Sequence, residues 1–526
     1  MKNHLIALTL ALIITGRVFA SPTDIVPEGS SLLDAFATLA RSDAFSASDT
    51  PEDFLGEPLY TREQLARRLE HLVQDEPKKF AKVQGDPAQT AALHAAMADL
   101  QPELTADGVN FTETDTSTGG TSVSGYLQPE ARLRVGGDAQ PKSGAIGVYR
   151  VTALGSLRSN IRFVLSASNW PEDGRRNFTN DIGSHDFSAV NEAYLALNAG
   201  RGLTFKLGRM YDRWGPGYRG ATMLSDNAPA LNQLQVGFPF SLGAKFGREY
   251  HFTQMAALYK ANGSNEYFEA RRIEYHFSSQ WDADFQEAFL ANRSWALEFT
   301  PFPDFYTAKN ANIPLLGIRE KNLDPNYKAA YNFTASYHTP DDRLRLYGQF
   351  LVHDLQSPGH STYQTPRKIA YLVGTALQPL PGTGVVAEYT FADPTTYSSR
   401  TISTQWQEGQ YDEIGLPTGP NGNEIYGRFS QHLLRGLNFA LEGREKKRHN
   451  ETFGVPDSRD VAASLDYAIN HQAGLKITYQ DYRQTAFPLA PNVPLVGDGF
   501  TPANAESFYG QNLRIKQVDV AYRYYF

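Results

Sequence analysis

The sequence predicts an all-β transmembrane barrel of about 18 antiparallel strands, preceded by a small N-terminal α-helical domain. The last strand is the clearest sign, because Val518, Val520, Tyr522, Tyr524 and Phe526 share one face and polar residues alternate with them. Such a strand suits a wall between lipid and a wet lumen. Segments with the same alternation recur through most of the chain, and the links between them alternate between short and long.

Residues 1–20 have the composition of a signal peptide. Lys2 gives the positive start, Leu5–Ile14 the apolar centre, and Val18–Ala20 the small-residue cleavage site. The apolar centre is too short to span a bilayer as a helix. Its removal takes away Lys2 and Arg17, so the formal net charge changes from −8 to −10.

Residues 21–110 predict a helical bundle on the periplasmic side of the membrane. Apolar residues have helical spacing in Ser31–Arg41. Thr61–Gln64 is a capping box that starts a second helix. Asp86 and Pro87 suit the N-cap and the first turn of a third helix.

Residues 111–124 are rich in Thr, Ser and Gly and predict a linker, after which residues 125–526 predict the barrel. A tight link such as Thr339–Arg343 alternates with a long one such as Asn292–Lys328. Outer-membrane barrels have short periplasmic turns and long external loops, so this alternation favours a membrane barrel. The competing interpretation is a large secreted propeller or sandwich, which has no reason to keep it.

Composition excludes several classes of protein. Cysteine is absent, so disulfides do not stabilise the fold. The negative net charge argues against nucleic-acid binding, because a phosphate backbone needs a basic face. We find no G-x-S-x-G elbow, H-E-x-x-H pair or phosphate-binding glycine loop. We therefore expect no catalytic residues, no metal and no cofactor.

One long external link carries a specific motif. Trp214-Gly215-Pro216-Gly217, followed by Leu224-Ser225 and Asn227-Ala228, resembles the signature of the Wzi-type capsule-assembly proteins. The resemblance implies an outer-membrane barrel of the same strand count that binds capsular polysaccharide at the cell surface. The candidate polysaccharide-binding residues are Arg209, Tyr211, Asp212, Arg213, Trp214, Tyr218, Arg219, Asp226 and Asn227, with Gly215, Pro216 and Gly217 shaping the loop.

The chemistry of this loop also fits a glycan. Aromatic rings such as Trp214 stack on the apolar faces of sugars, and arginines such as Arg213 form bidentate pairs with uronate carboxylates. The carboxylate of Asp212 accepts hydrogen bonds from sugar hydroxyls. The alternative is that the loop folds into the lumen as a constriction, with its arginines paired to luminal acids.

We therefore expect a non-catalytic, lectin-like outer-membrane protein. Its external loops would bind extracellular or capsular polysaccharide and support surface attachment or assembly. Its other partners would be outer-membrane lipid and the barrel-assembly machinery that inserts it. The alternatives are a porin-like channel for sugars or other solutes, an outer-membrane glycan hydrolase, and an anchor whose bundle grips peptidoglycan.

Overall fold

A computed structural model describes part of the chain. The described residues are 26, 31–40, 44–45, 60–100, 104, 122–136, 144–158, 161–168, 189–199, 203–225, 230–241, 249–261, 264–278, 280–291, 328–339, 343–353, 368–380, 382–393, 396–397, 407–408, 412–419, 422–434, 436–448, 457–470, 473–485 and 513–525. The predicted signal peptide and most of the predicted linker lie outside these ranges, so that division of the chain stays a prediction.

The described residues form four helices and twenty strands. The helices are α1 (Ser31–Ala40), α2 (Arg62–Gln74), α3 (Pro77–Gln84) and α4 (Pro87–Asp99). The strands are β1 (Ser122–Gly136), β2 (Gly144–Arg158), β3 (Ile161–Ser168), β4 (Ala189–Asn198), β5 (Thr204–Met210), β6 (Leu231–Ser241), β7 (Glu249–Ala261), β8 (Ser264–His276), β9 (Trp281–Ala291), β10 (Lys328–His338), β11 (Leu344–His353), β12 (Ile369–Leu380), β13 (Thr383–Ala392), β14 (Gln407–Glu408), β15 (Asp412–Glu413), β16 (Gly422–Leu434), β17 (Leu437–Arg448), β18 (Ser458–Asn470), β19 (Ala473–Gln484) and β20 (Leu513–Tyr525).

The predicted barrel is confirmed, because 18 of these strands pair into one closed sheet. Each barrel strand pairs antiparallel with the next, and β14 and β15 form a separate short hairpin between β13 and β16. The barrel closes between its first and last strands, where Leu133 lies opposite Val518 and Leu127 opposite Tyr524. Closure removes the free sheet edges that would leave backbone groups unpaired in lipid.

The closing strand shows the predicted alternation. Val518 is 36% exposed and Tyr524 is 44% exposed, whereas the alternating Gln517 and Arg523 are buried. Outward-facing apolar residues of the same kind occur on other strands, for example Leu207 on β5. The polar residues therefore face the lumen and the apolar residues face outward.

The links follow the predicted alternation with two departures. The link between β7 and β8 is only residues 262–263, although it lies at the end of the barrel where the other links are long. At the opposite end, the link between β6 and β7 spans residues 242–248. The end of the barrel with mostly long links is called the long-link end, and the opposite end is called the short-link end.

The helical bundle has its own apolar core. Phe36, Leu65 and Leu93 are among its fully buried side chains. The predicted capping box is present, since the Thr61 side chain accepts a hydrogen bond from the backbone N–H of Gln64 at 3.1 Å and its own N–H donates to Gln64 Oε1 at 3.0 Å. Helix α3 was not predicted, because its eight residues have too few apolar positions to show a clear period. No described helix has the length and apolarity needed to cross a membrane.

The bundle packs against the barrel at its short-link end. Leu154 and Val164, which face the lumen from β2 and β3, are part of the bundle core. On the same wall, Arg162 donates a hydrogen bond to the carbonyl of Ala95 in α4 at 3.0 Å. The bundle therefore docks on the wall formed by β1–β5 at this end.

An ion pair reinforces this contact. Lys206 of β5 lies 3.0 Å from the carboxylate of Asp99 at the end of α4. Burial raises the pKa of Asp99, but the charges of Lys206 and Arg62 outweigh that effect and hold the pKa below its usual value. Asp99 therefore keeps its negative charge at neutral pH, and the bundle is held by charge as well as by apolar packing.

We expect the docking of the bundle to weaken in mild acid because of His94. Burial, together with the charge of Arg162, lowers the pKa of His94 to about 4, whereas an exposed histidine titrates near 6.5. Between these values the released bundle binds more protons than the docked one, so stability falls as pH falls through this window. His94→Gln should flatten the pH dependence of bundle docking, measured by protease cleavage within α2–α4 at pH 7 and pH 4.5.

His71→Gln is the matched control, because His71 is an exposed histidine of the same bundle whose ring lies 2.6 Å from Asp75. We expect this variant to keep the acid sensitivity of the parent protein. An unchanged acid sensitivity in His94→Gln would contradict the assignment to His94.

Candidate functional site in the barrel lumen

The described first part of the motif-bearing link after β5 does not extend outward from the barrel. Residues 211–225, here called the plug segment, fold into the lumen and are buried or half-buried along their whole length. Trp214 is only 4% exposed and shares an apolar cluster with Met223 and Leu224 of the same segment. Inward-facing Phe268 and Leu372 belong to the same cluster. Apolar packing therefore holds the segment in the lumen. This position corresponds to the alternative in which the loop folds inward as a constriction.

Two glutamines of the barrel wall fix the backbone of the plug segment. The carbonyl of Trp214 accepts hydrogen bonds from the side-chain amides of Gln286 at 3.2 Å and Gln349 at 3.0 Å. Gln349 also accepts from the backbone N–H of Thr222 at 3.0 Å. Gln349 thus joins both arms of the plug segment to β11. A third contact joins the arms directly, since Trp214 N–H donates to the carbonyl of Leu224 at 3.0 Å.

A buried carboxylate of β13 holds the turn of the plug segment. Glu388 accepts hydrogen bonds from the backbone N–H groups of Tyr218 at 2.5 Å and Arg219 at 2.9 Å. It also accepts from the hydroxyl of Tyr347 at 2.7 Å. These three hydrogen bonds make Glu388 a polar anchor of the turn.

Two arginines of the plug segment, Arg213 and Arg219, have their bonding partners within the lumen. Arg219 pairs with Glu424 of β16 at 3.1 Å, and both side chains are almost fully buried. Arg213 donates to the carbonyls of Gly217 at 3.0 Å and Tyr218 at 3.3 Å. Two buried charges are tolerated only when they are paired, so Glu424 is required by Arg219.

The Gly-Pro-Gly turn is packed too closely for side chains. A Cβ atom at Gly217 would collide with the carbonyl of Gly220 and approach Leu372 to 2.6 Å. The carbonyl of Pro216 accepts from Arg345, whose guanidinium lies over the ring of Tyr347 at 4.6 Å. Glycine is therefore needed here for close packing against the wall.

Part of the link between β13 and β16 holds the plug segment as well. The hydroxyl of Tyr397 donates to the carbonyl of Thr222 at 2.6 Å and accepts from the backbone N–H of Leu416 at 3.3 Å. The backbone N–H of Ser225 donates to the carbonyl of Ile414 at 2.7 Å. Tyr397 has a φ of 65°, which is uncommon for a residue with a side chain. The plug segment therefore joins the barrel wall to a link at the long-link end.

The inner part of the plug segment approaches the helical bundle. Asp212 accepts hydrogen bonds from Gln233 at 2.6 Å and Gln235 at 3.4 Å on β6. Burial raises the pKa of Asp212 to about 6, although the charge of Lys206 acts in the opposite direction. Lys206 is also the partner of Asp99 in α4. Lys206 thus lies between the helical bundle and the plug segment and interacts with both.

The candidate residues are distributed as follows. Arg213, Trp214, Gly215, Pro216, Gly217, Tyr218 and Arg219 are buried, Arg209, Tyr211 and Asp212 are half-buried, and Asp226 and Asn227 lie outside the described residues. Direct sugar contact by any of these residues stays a prediction. Sequence reasoning missed Gln349, Glu388 and Glu424, which lie more than a hundred residues away in the chain.

No cation site is evident in the described part of the chain. Within it, no group of three or more histidine or carboxylate side chains could hold a metal ion.

Comparison with known families gives one match. A family model described as capsule assembly protein Wzi matches residues 84–244. The match begins at the end of α3, extends beyond β6 and includes the plug segment. The resemblance to this family that the motif indicated is therefore confirmed. A comparison with curated proteins gives no match.

A solved structure shows the same architecture. Wzi of Escherichia coli, described as an outer membrane protein involved in group 1 capsule assembly and a carbohydrate-binding β-barrel, is 12% identical with a TM-score of 0.55. The alignment covers 95% of this chain and 99% of that protein. OpdO of Pseudomonas aeruginosa is 10% identical with a TM-score of 0.47, over 77% of this chain and 97% of its own. The likeness to Wzi shows the fold.

Proposed function

On the premise that residues 84–244 match the capsule assembly protein Wzi family, we propose that this protein binds extracellular or capsular polysaccharide. It does so in the outer membrane, through its external loops, and supports attachment or assembly of the polysaccharide at the cell surface. The observation that carries the proposal is that the family match includes the plug segment, which lies in the lumen and contacts a link at the long-link end. A barrel that holds such a segment in its lumen is suited to presenting a binding surface at its long-link end.

The orientation follows from the links. In outer-membrane barrels the short turns are periplasmic and the long loops are external. By this rule the helical bundle, which packs at the short-link end through Leu154 and Val164, is periplasmic. The long-link end then faces the cell exterior. Insertion by the barrel-assembly machinery and contact with outer-membrane lipid belong to the same proposal.

The binding is proposed to be non-catalytic. The buried carboxylates around the plug segment are already used by their own chain, since Glu388 holds two backbone N–H groups and Glu424 pairs with Arg219. The carbohydrate-binding description of Escherichia coli Wzi supports the choice of ligand class.

The plug segment is proposed to act mainly as the support of the external surface. Thr222 and Ser225 bond to Tyr397 and Ile414 in the link between β13 and β16. A change within the plug segment would therefore move this link as well. The direct contact predicted for Trp214 and its neighbours requires a sugar to enter this packed region.

Trp214→Ala should weaken polysaccharide retention without lowering the amount of barrel in the membrane. The substitution removes a buried ring from the apolar cluster that includes Met223 and Leu224, and Trp214 takes no part in the strand ladder. The experiment complements a deletion strain with parent or variant and measures the fraction of cell-bound polysaccharide. We expect most polysaccharide to move to the culture supernatant in the deletion strain and in the variant.

Trp281→Ala is the matched control, because Trp281 is an outward-facing tryptophan, 51% exposed, at the short-link end of β9. It should retain polysaccharide like the parent protein. Full retention of polysaccharide by the deletion strain would overturn the proposed function. If the deletion strain lost polysaccharide and Trp214→Ala retained it fully, the plug segment would have no part in this function.

A further inference from the structure

A row of basic residues lies on the outer face of the barrel at the long-link end. Arg459, Arg483 and Arg514 occupy directly paired positions on β18, β19 and β20. Glu445 of β17 continues the row, opposite Arg459. Arg483 is 57% exposed and Arg514 is 44% exposed. Three arginines thus stand side by side in one register on an accessible surface.

This arrangement is only partly compensated by acids. Like charges directly opposite each other on neighbouring strands destabilise a sheet. Within the described residues, Asp481 bridges two of the arginines, at 3.1 Å from Arg483 and 2.8 Å from Arg514. Lys516 lies opposite Asp481 and is exposed as well.

We define the basic patch as Lys447, Arg459, Arg483, Arg514 and Lys516. Two acids share its surface, namely Asp481 and Glu445, which pairs with Lys447 at 3.1 Å. Among the described residues of this surface, three positive charges remain in surplus, on a chain whose net charge is −8. The patch therefore offers an anion-binding surface on an otherwise acidic protein.

The patch is confined to one sector of the wall. On β11, β12 and β13 the outward positions near the long-link end are Val352, Ile369 and Phe391, which are apolar. A row of basic residues is thus absent from that sector.

The height of the patch on the wall indicates its surroundings. Along β20, Arg514 and Lys516 are followed on the same outward face by Val518, Val520 and Tyr522, which are exposed and apolar. The apolar band of a membrane barrel contacts acyl chains, and the residues just beyond it lie at the level of the lipid headgroups. The patch begins where this band ends.

We propose that the basic patch binds the phosphate groups of an anionic glycolipid of the lipid A type in the outer leaflet. Guanidinium groups form bidentate hydrogen bonds with phosphate, and adjacent arginines can contact two phosphates of one headgroup. The proposal rests on the orientation given under the proposed function, and it is independent of polysaccharide binding. It assigns β17–β20 as the lipid-anchoring sector of the barrel.

The test uses the purified full chain in detergent with bisphosphorylated lipid A and its dephosphorylated form as probes. Arg459→Gln with Lys516→Gln removes two charges and leaves the bridge of Arg483, Asp481 and Arg514 intact. Each basic residue near a charged membrane surface strengthens the binding of an anionic group. The loss of two such residues should make the affinity for the phosphorylated lipid about ten- to thirtyfold weaker. The dephosphorylated lipid should bind parent and variant equally.

The matched control is Lys78→Gln with Lys82→Gln, which removes two positive charges from exposed positions of α3. This variant should bind the phosphorylated lipid like the parent protein. Equal affinity of parent and patch variant would overturn the proposal. Equally potent competition by a lipid-free uronate polysaccharide would overturn it too, because the patch would then bind polysaccharide. A negative result in the polysaccharide-retention experiment would not change the outcomes expected for lipid binding. Each proposal can therefore be contradicted independently of the other.

Discussion

Glu388→Ala should release the plug segment from the lumen while the barrel itself stays folded. The substitution leaves the backbone N–H groups of Tyr218 and Arg219 and the hydroxyl of Tyr347 without their acceptor. A buried donor without a partner costs on the order of 1–3 kcal/mol. The loss therefore acts on the turn of the plug segment and does not remove any hydrogen bond of the strand ladder.

Limited trypsin digestion of the purified protein detects this release. Cleavage after Arg213 and Arg219 should be fast in Glu388→Ala and absent in the parent protein, because both residues are buried. Glu388→Gln keeps one acceptor oxygen and should give an intermediate rate. Asp466→Ala is the matched control, since Asp466 is a buried luminal acid of β18 that lies 3.9 Å from Arg523, away from the plug segment. Protection of the plug segment in Glu388→Ala would contradict the anchoring role of Glu388.

Gly208→Ala should prevent assembly of the barrel in most molecules. Gly208 lies within β5 with a φ of 140°, in a region that residues with side chains rarely adopt. A Cβ atom there would collide with the carbonyl of Ala193 and lie 2.6 Å from the Cα atom of Tyr194 on β4. Backbone atoms cannot move aside as a flexible side chain can. Backbone strain alone costs on the order of 1–3 kcal/mol, and the collision adds to it.

Heat-modifiable migration on gels measures the folded fraction of a membrane barrel. Gly443→Ala is the control, because a Cβ atom at Gly443 on β17 meets nothing within 4 Å. The control should assemble like the parent protein. Normal assembly of Gly208→Ala would show that β4 and β5 can separate at this position.

The barrel could be predicted because its signals are local. The alternation of Val518, Val520 and Tyr522 with polar residues needs only neighbouring positions, and the structure confirms it. The capping box at Thr61 is local in the same sense. The departures arose where local signals are weak, at the two-residue link between β7 and β8 and in the short helix α3.

The contacts of the plug segment could not be predicted in the same way. The motif marked the segment, but Arg219 and its partner Glu424 are separated by 205 residues. Closure of the barrel brings them together, so their pairing depends on the register of all the strands between them. The choice between an external binding loop and a luminal constriction was open for this reason. The burial of Trp214 shows that the link turns inward.

Ion conductance of the parent protein in planar bilayers tests the central claim most directly. The bundle packs against the barrel at the short-link end, and the plug segment, fixed by Gln349 and Glu388, lies in the lumen. We expect no steady conductance from the folded protein, because the bundle and the plug segment both lie in the path of an ion. A large and steady conductance would contradict the closed lumen and favour a porin-like channel.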